Sequence, residues 1–328
     1  MTRSRDQDRV GSAVVLGAGG LLGQAFHLGV LATLAGLVDL DARAADILVG
    51  TSAGSLVASG LAAGLSADDL RADLLGEPLS PEGRRLRHPA RPRLRMPESA
   101  PVPMTRGPLA PKVLLAAARR PFAVRSGAVA SGLLPAGRIG TSGLRRAVQG
   151  VHGASWPERD LRVCAVRAKD GRRVVFGTPA APEVDVGTAV AASCAIPGFF
   201  TPVQIQGDAY LDGGAHSPTN ADVVLRERPA LVIISSPMTG VLRPRADVGL
   251  RLAVRRYLAQ EVRRLRRAGC DVVVFQPGEQ DLEAMGLNPM AGQRTRDVLA
   301  TAAASTRTRL AGSGDLHERL SRFAYQAG

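Results

Sequence analysis

Cysteine is nearly absent from this chain of 328 residues, with only Cys164, Cys194 and Cys270. They lie far apart in sequence, which rules out a disulfide framework and suits a reducing compartment. Cys194 reads as a small buried residue rather than a reactive thiol. Aromatic residues make up 3% of the chain, so the core must rest on Leu, Val and Ala. Lysine is almost missing too, since Lys112 and Lys169 are the only two. The formal net charge of +13 is therefore carried by arginine. A basic balance fits nucleic acid, an anionic membrane or an acidic substrate, and biased base composition in the gene also produces it. No zinc-ligand spacing and no RNA-binding aromatic motif is present, so neither a metal, nor a cofactor, nor a nucleic-acid partner is expected. Residues 1–10 are charged, carry no hydrophobic signal core and read as a mobile tail. Ser12 to Val38 is uncharged and long enough to be mistaken for a membrane span. Its glycines, Gln24 and His27 fit a strand, a turn and a buried helix instead.

What is present is a set of glycine-punctuated turns. Gly50-Thr51-Ser52-Ala53-Gly54 follows the strand-like Ile47-Leu48-Val49 and precedes the helix-compatible Ser55 to Ala63. A serine on a sharp strand-to-helix turn has its hydroxyl pushed into the open. Gly50 and Gly54 flank it because strand and helix approach closely there. Helix-start N–H groups beside Ser52 favour developing negative charge. Taken alone, the pattern is equally compatible with a Gly/Ser-rich loop without chemistry.

A second turn, Gly17 to Gly23, links the apolar Val14-Val15-Leu16 to a helix-like run from Gln24 to Leu34. Such a turn converges backbone N–H groups on an anion. In acyl transfer the anion is the oxygen of the tetrahedral intermediate. The same turn also fits a loosened dinucleotide fingerprint, with Asp39 or Asp41 as a ribose-binding acid. A third segment runs from Ala191 through Ile196-Pro197-Gly198 to Asp212-Gly213-Gly214. A carboxylate at Asp212 is fixed in direction and can take a proton from a nearby serine. The plainer use of Asp-Gly is a turn that caps its own backbone.

Together with Asp281 to Met290, and in this order, these stretches resemble the patatin-like phospholipase family. The resemblance implies a three-layer α/β/α fold with a mainly parallel central sheet and a nucleophile elbow. It implies a serine acyl hydrolase acting on lipid esters, of the phospholipase A or lysophospholipase type. Ser52 takes the place of the nucleophile and Asp212 that of its single catalytic partner. The oxyanion hole falls on Ala18, Gly19 and Gly20, joined by Ala53 of the elbow, with Gly213 and Gly214 shaping the Asp turn. One departure is visible: Leu22 stands where the family carries a basic residue, and Ala18 replaces its first glycine.

Two rival readings remain at this point. Within the enzyme class, His27 or His216 completes a histidine triad. In a different class, the chain is a nucleotide- or lipid-binding α/β module that uses the Gly17 to Gly23 turn and hydrolyses nothing. The expected partners are a lipid or phospholipid substrate and an anionic membrane touched peripherally, in a cytoplasmic setting; the oligomeric state is left open.

The chain reads as one hydrolase domain over residues 11–315, with a C-terminal tail from 316 to 328. Between 77 and 137 prolines and arginines crowd together, so a long regular helix cannot run through the stretch. It reads either as an insertion or lid over the active-site face, with Arg84, Arg85, Arg87, Arg91, Arg93 and Arg95 favouring anionic headgroups, or equally as a passive mobile loop. Later strands are expected at Asp160 to Val166, Arg173 to Phe176, Leu231 to Ile234 and Asp271 to Phe275. Helices are expected at Val186 to Ser193, Val248 to Ala268 and Asp297 to Leu310.

Overall fold

A computed structural model describes residues 11–87, 92–96, 137–240 and 248–326. Arg91 and most of the 77–137 insertion, including a short apolar helix candidate at Val113 to Ala118, lie outside the described residues.

The sheet forms where the sequence places short β-branched runs. Ser12–Leu16 (β1), Ile47–Thr51 (β2) and Asp160–Arg167 (β3) are joined by Leu231–Ser235 (β7) and Asp271–Phe275 (β8). All four contacts among these five strands are parallel. Their residues alternate between two buried faces. Val14, Leu16, Leu48 and Ile233 enter one apolar core, while Ala13, Val15, Val49 and Ile234 enter the other. Strands buried on both faces need helices on both sides, which produces three layers. On the first face lie Gly20–Val38 (α1), Ala53–Ala62 (α2) and Thr295–Ala311. On the second, Leu258 and Leu265 of Val248–Arg267 cover the sheet. The expected helix spans are met to within a few residues. Helix α1 is long and apolar enough to cross a membrane, but 72% of that window is buried within the protein, which makes it a core helix.

The numbering used below follows chain order. Ala67–Leu75 is α3, Pro81–Leu86 α4, Ser142–His152 α5, Val186–Ser193 α6, Val248–Arg267 α7, Glu279–Met285 α8, Thr295–Ala311 α9 and Gly314–Gln326 α10. The last of these corrects the expected tail. Leu316 and Leu320 of α10 are buried in the first core, and Arg319 pairs with Asp271. Helices α1 and α9 cross closely at Gly29, where a Cβ would sit 2.6 Å from the Leu299 carbonyl oxygen.

Antiparallel strands complete one end of the sheet. Arg173–Phe176 (β4) forms the expected hairpin with β3 around Asp170-Gly171. Val203–Ile205 (β5) and Asp208–Asp212 (β6) form a second hairpin, whose β6 also pairs with β3. This detail positions the site. Strand β4 occupies one edge of β3 over Val163 to Val166, so β2 and β6 share the other edge. Strand β2 ends with Thr51 opposite Cys164, and β6 ends with Asp212 opposite Ala165. The two strands therefore meet end to end along β3. The residue after one terminus is Ser52; the last residue of the other is Asp212.

The described parts of the insertion are packed rather than loose. Arg87 forms an ion pair with Asp73 at 2.9 Å. The Leu94 N–H donates to the other Asp73 oxygen at 2.6 Å. Gln24 of α1 accepts from the Met96 N–H at 3.0 Å and donates to the Leu94 carbonyl. Leu94 and Met96 are buried in the first core.

Candidate active site

Ser52 occupies the turn between β2 and α2 with φ 53° and ψ −122°, a backbone conformation that costs a non-glycine residue about 1–3 kcal/mol. Two close approaches hold it there. A side chain at Gly54 would strike the Leu16 carbonyl, and one at Gly50 would strike the Ser55 backbone. The Ser52 N–H donates to Ser193 Oγ at 2.9 Å, and Ser193 Oγ donates to the Cys164 carbonyl at 2.6 Å. Ser55 closes the turn through its N–H and hydroxyl, both donated to the Ser52 carbonyl. The elbow is thus held by bonds that leave the Ser52 hydroxyl free of structural work.

Asp212 sits beside it, 5% exposed. Its Oδ1 accepts from the Gly214 N–H at 2.7 Å. The backbone N–H of Asp212 donates to the Ala195 carbonyl at 3.0 Å, which fixes the strand end. Desolvation raises the carboxyl pKa to about 7, against opposing hydrogen bonds from the Ser52 hydroxyl and the Gly214 N–H. The hydroxyl is thus close enough to stabilise the carboxylate. Yet Oδ2 is buried with no bond of full hydrogen-bond geometry among the described residues. Both observations fit a contact longer or more bent than a standard hydrogen bond, as in catalytic pairs without substrate. Gly213 is required because its Cβ would collide with the Cys164 carbonyl, and a Cβ at Gly214 would crowd Asp212 Oδ1 at 3.0 Å.

The glycine-rich turn lies across from the elbow. Among the described residues the N–H groups of Gly19, Gly20 and Ala53 have no acceptor. Gly19 and Gly20 open α1 and Ala53 opens α2, so these are free helix-start donors. Ala18 does not join them. Its N–H donates to the Pro218 carbonyl at 2.7 Å, which removes it from the expected set of oxyanion donors. Leu22, at the family's basic position, is fully buried and donates its N–H to the Pro289 carbonyl at 2.9 Å. Met290 and Pro289 pack on Gly20, which has φ +63°. The Asp281 to Met290 stretch therefore backs the glycine-rich turn.

The histidine candidates are placed elsewhere. His27 is fully buried, with Nε2 2.8 Å from the Gly17 carbonyl and Nδ1 2.7 Å from Ser235 Oγ. A carbonyl only accepts, so Nε2 carries the proton and Nδ1 accepts from the serine. Burial lowers the pKa of His27 to about 4, leaving a neutral ring that ties β1 to β7. His152 of α5 bonds to the Ser59 carbonyl of α2 at 2.8 Å and is also structural. His216 follows the Asp turn, its N–H donated to the Gly213 carbonyl at 3.0 Å. Asp41 is committed to Arg43 by an ion pair at 2.6 Å, which weakens its reading as a ribose-binding acid.

Three residues that shape this site were missed in sequence. Ser193 supports the backbone of Ser52. Asn220, itself at φ 52°, donates from Nδ2 to Thr51 Oγ1 at 3.1 Å and to the Gly213 carbonyl at 3.3 Å. Glu261 of α7, 1% exposed, accepts from Ser217, Thr219 and Ala221 on either side of Asn220. Each is a single polar residue far along the chain from its partner, with no local pattern to mark it.

Fold and site together define a three-layer α/β protein with a serine elbow, an adjacent buried carboxylate and free helix-start N–H groups. Residues 14–225 match the family model for patatin-like phospholipases, and the chain belongs to that family. Membership supports lipid acyl hydrolysis as its general activity. Among solved structures, the chain is similar to VipD from Legionella pneumophila at 15% identity and a TM-score of 0.41, covering 93% of this chain and 67% of that one. It is also similar to the type III effector ExoU at 16% identity and a TM-score of 0.34, covering 97% of this chain. The match spans about half of the ExoU chain, 53%. No curated protein matches by sequence.

Proposed function

We propose that the protein is a serine acyl hydrolase that cleaves lipid esters, as a phospholipase A, a lysophospholipase or a lipid esterase, through a Ser52–Asp212 dyad. The observation that carries this reading is the buried Asp212 Oδ2, unpaired at full geometry beside the hydroxyl of a serine on a strained elbow.

The steps follow from the atoms. The Asp212 carboxylate takes the hydroxyl proton as Ser52 Oγ bonds to the ester carbonyl carbon. The N–H groups of Gly19, Gly20 and Ala53 hold the resulting oxyanion. The bond to the alkoxy oxygen then breaks, and Asp212 returns the proton to the leaving alcohol. Water attacks the acyl-enzyme and yields a proton to Asp212. The acid departs, and the proton goes back to Ser52 Oγ. One residue serves as base and acid in turn, which suits a carboxyl with a pKa near neutrality.

A fluorophosphonate probe and a lipid-class hydrolysis screen test the proposal on the full chain. Covalent labelling that maps to Ser52, with release of fatty acid, supports it. Binding of NADPH without labelling would instead favour a nucleotide-binding module.

Peripheral contact with an anionic membrane in a cytoplasmic, reducing setting is part of the same proposal. The three cysteines are buried and form no disulfide, in keeping with that compartment. Arg87 is held by Asp73, while Arg84, Arg85 and Arg93 are exposed. The exposed face of α7 offers a further basic surface, with Arg256, Arg263, Arg264, Arg266 and Arg267. Near an anionic surface each contributes about 1 kcal/mol, screened over about 10 Å at 0.1 M salt. Changing Arg256, Arg263 and Arg267 to Gln is expected to weaken binding to phosphatidylserine vesicles at least tenfold while sparing hydrolysis of a soluble ester. Unchanged, salt-independent vesicle binding would remove α7 from the membrane contact.

A further inference from the structure

The loop Ser217 to Ala221 touches every turn of the candidate site. The Pro218 carbonyl accepts the Ala18 N–H at 2.7 Å and so sets the residue before the free Gly19 N–H. Asn220 Nδ2 reaches Thr51, the residue before Ser52, and Gly213, the residue after Asp212. It also donates to the Ser217 carbonyl at 2.6 Å, which closes the loop on itself. Thus one short segment spaces the anion-binding turn, the serine elbow and the Asp turn. Ser217, Thr219 and Asn220 are all buried.

A single carboxylate holds this loop. Glu261 is the only acidic residue of α7 and faces inward, opposite the exposed arginines. Its Oε1 accepts from Ser217 Oγ at 2.6 Å. Its Oε2 accepts from Thr219 Oγ1 at 2.5 Å and from the Ala221 N–H at 3.0 Å. The neighbouring charges belong to Asp222, which pairs with Arg173 and lies 3.9 Å from Arg264. Burying a carboxylate is costly unless donors surround it. An apolar residue of similar volume serves stability as well or better in such places. The carboxylate's distinct contribution is directional: three donors of one loop converge on two oxygens.

We propose that Glu261 is a positioning residue of the acyl-transfer site, which fixes through the 217–221 loop the mutual placement of the Gly19–Gly20 donors, Ser52 and Asp212. This rests on the reading of Ser52 and Asp212 as a dyad. Misplacing reacting groups by about 1 Å costs on the order of a hundredfold in rate. Losing Glu261 should therefore lower turnover more than substrate affinity.

The experiment compares wild type, Glu261→Ala, Glu261→Gln and Thr219→Val on a soluble ester and on a fluorophosphonate probe, with thermal melting of each. Glu261→Ala is expected to lower kcat by roughly 10- to 100-fold with KM changed less than about threefold, and to slow labelling of Ser52 in step. Glu261→Gln should restore most of the rate. Its amide oxygen can accept from Ala221 and Thr219 while its NH2 donates to Ser217 Oγ. Thr219→Val removes one bond without changing shape and should slow labelling a few-fold in a folded protein. Lowered melting temperatures with wild-type kcat and labelling in Glu261→Ala would overturn the proposal, leaving a purely structural carboxylate. If Glu261→Ala does not fold, Thr219→Val and Asn220→Gly decide; the glycine keeps the left-handed backbone and removes the amide. Full-speed labelling in both overturns the proposal as well. Absence of labelling in wild type would instead strike at the dyad itself.

Discussion

Ser52→Ala is expected to lower ester turnover by on the order of 10⁴-fold or more, as loss of a nucleophile does in serine hydrolases. No neighbouring hydroxyl can replace it. Ser55 donates to the Ser52 carbonyl, and Ser193 is bonded between the Ser52 N–H and the Cys164 carbonyl. The fold should survive, because the bonds that hold the elbow come from the Ser52 backbone and not from its side chain. Ser52→Gly sharpens the test. Glycine adopts φ 53° without penalty, so this variant should melt higher than wild type while being equally inactive. Hydrolysis assays and thermal melts read both effects. A folded Ser52→Ala or Ser52→Gly protein retaining a tenth of wild-type turnover would sink the assignment.

Asp212→Asn should be nearly as damaging, since an amide cannot accept the hydroxyl proton. In wild type, kcat/KM should rise with pH and level off above about 7, where the carboxyl has lost its proton. The same group links stability to pH. Its folded pKa is raised to about 7 from an ordinary value of 3.8. Between these values the native state holds a proton that the unfolded chain releases, so stability falls as pH rises through that window. Asp212→Asn removes this penalty. It should therefore be more stable than wild type at pH 8, by on the order of a few kcal/mol, and not at pH 3. The sign is the informative part: an inactive variant gains stability only where the wild-type carboxylate is charged. A normal carboxylate limb near pH 4 in the rate profile, or equal melting of both proteins at pH 8, would show that Asp212 is not the buried base.

How legible these features were in sequence depended on range. Turns built by consecutive residues were readable, because glycine at 50 and 54 or Asp-Gly-Gly at 212 to 214 reports local backbone geometry. The parallel strands at 231 and 271 were readable from unbroken β-branched runs. The C-terminal helix was missed although Leu316, Leu320 and Phe323 fall at helical spacing; Leu316 and Leu320 dock it on the core. Ala18 illustrates the limit for the site. The glycine-rich turn was identifiable, but whether a given N–H in it is free depends on Pro218, two hundred positions later. Ser193, Asn220 and Glu261 fall in the same category. Each acts across the sheet on a partner that no spacing rule connects to it.

The strand order has a consequence for the making of the protein. Strand β1 lies between β2 and β7, and the glycine-rich turn is tied to residues 218 and 235. Ser52, the proposed nucleophile, therefore leaves the ribosome long before Asp212, its proposed base, and the far wall of the site. At ordinary rates of synthesis the interval from Ser52 to Ser235 is roughly ten to forty seconds. Through that interval the nascent chain carries Ser52 without Asp212 and the glycine-rich turn without its neighbours at 218 and 235. On the proposed dyad, topology alone keeps the nascent hydrolase without its base through this phase.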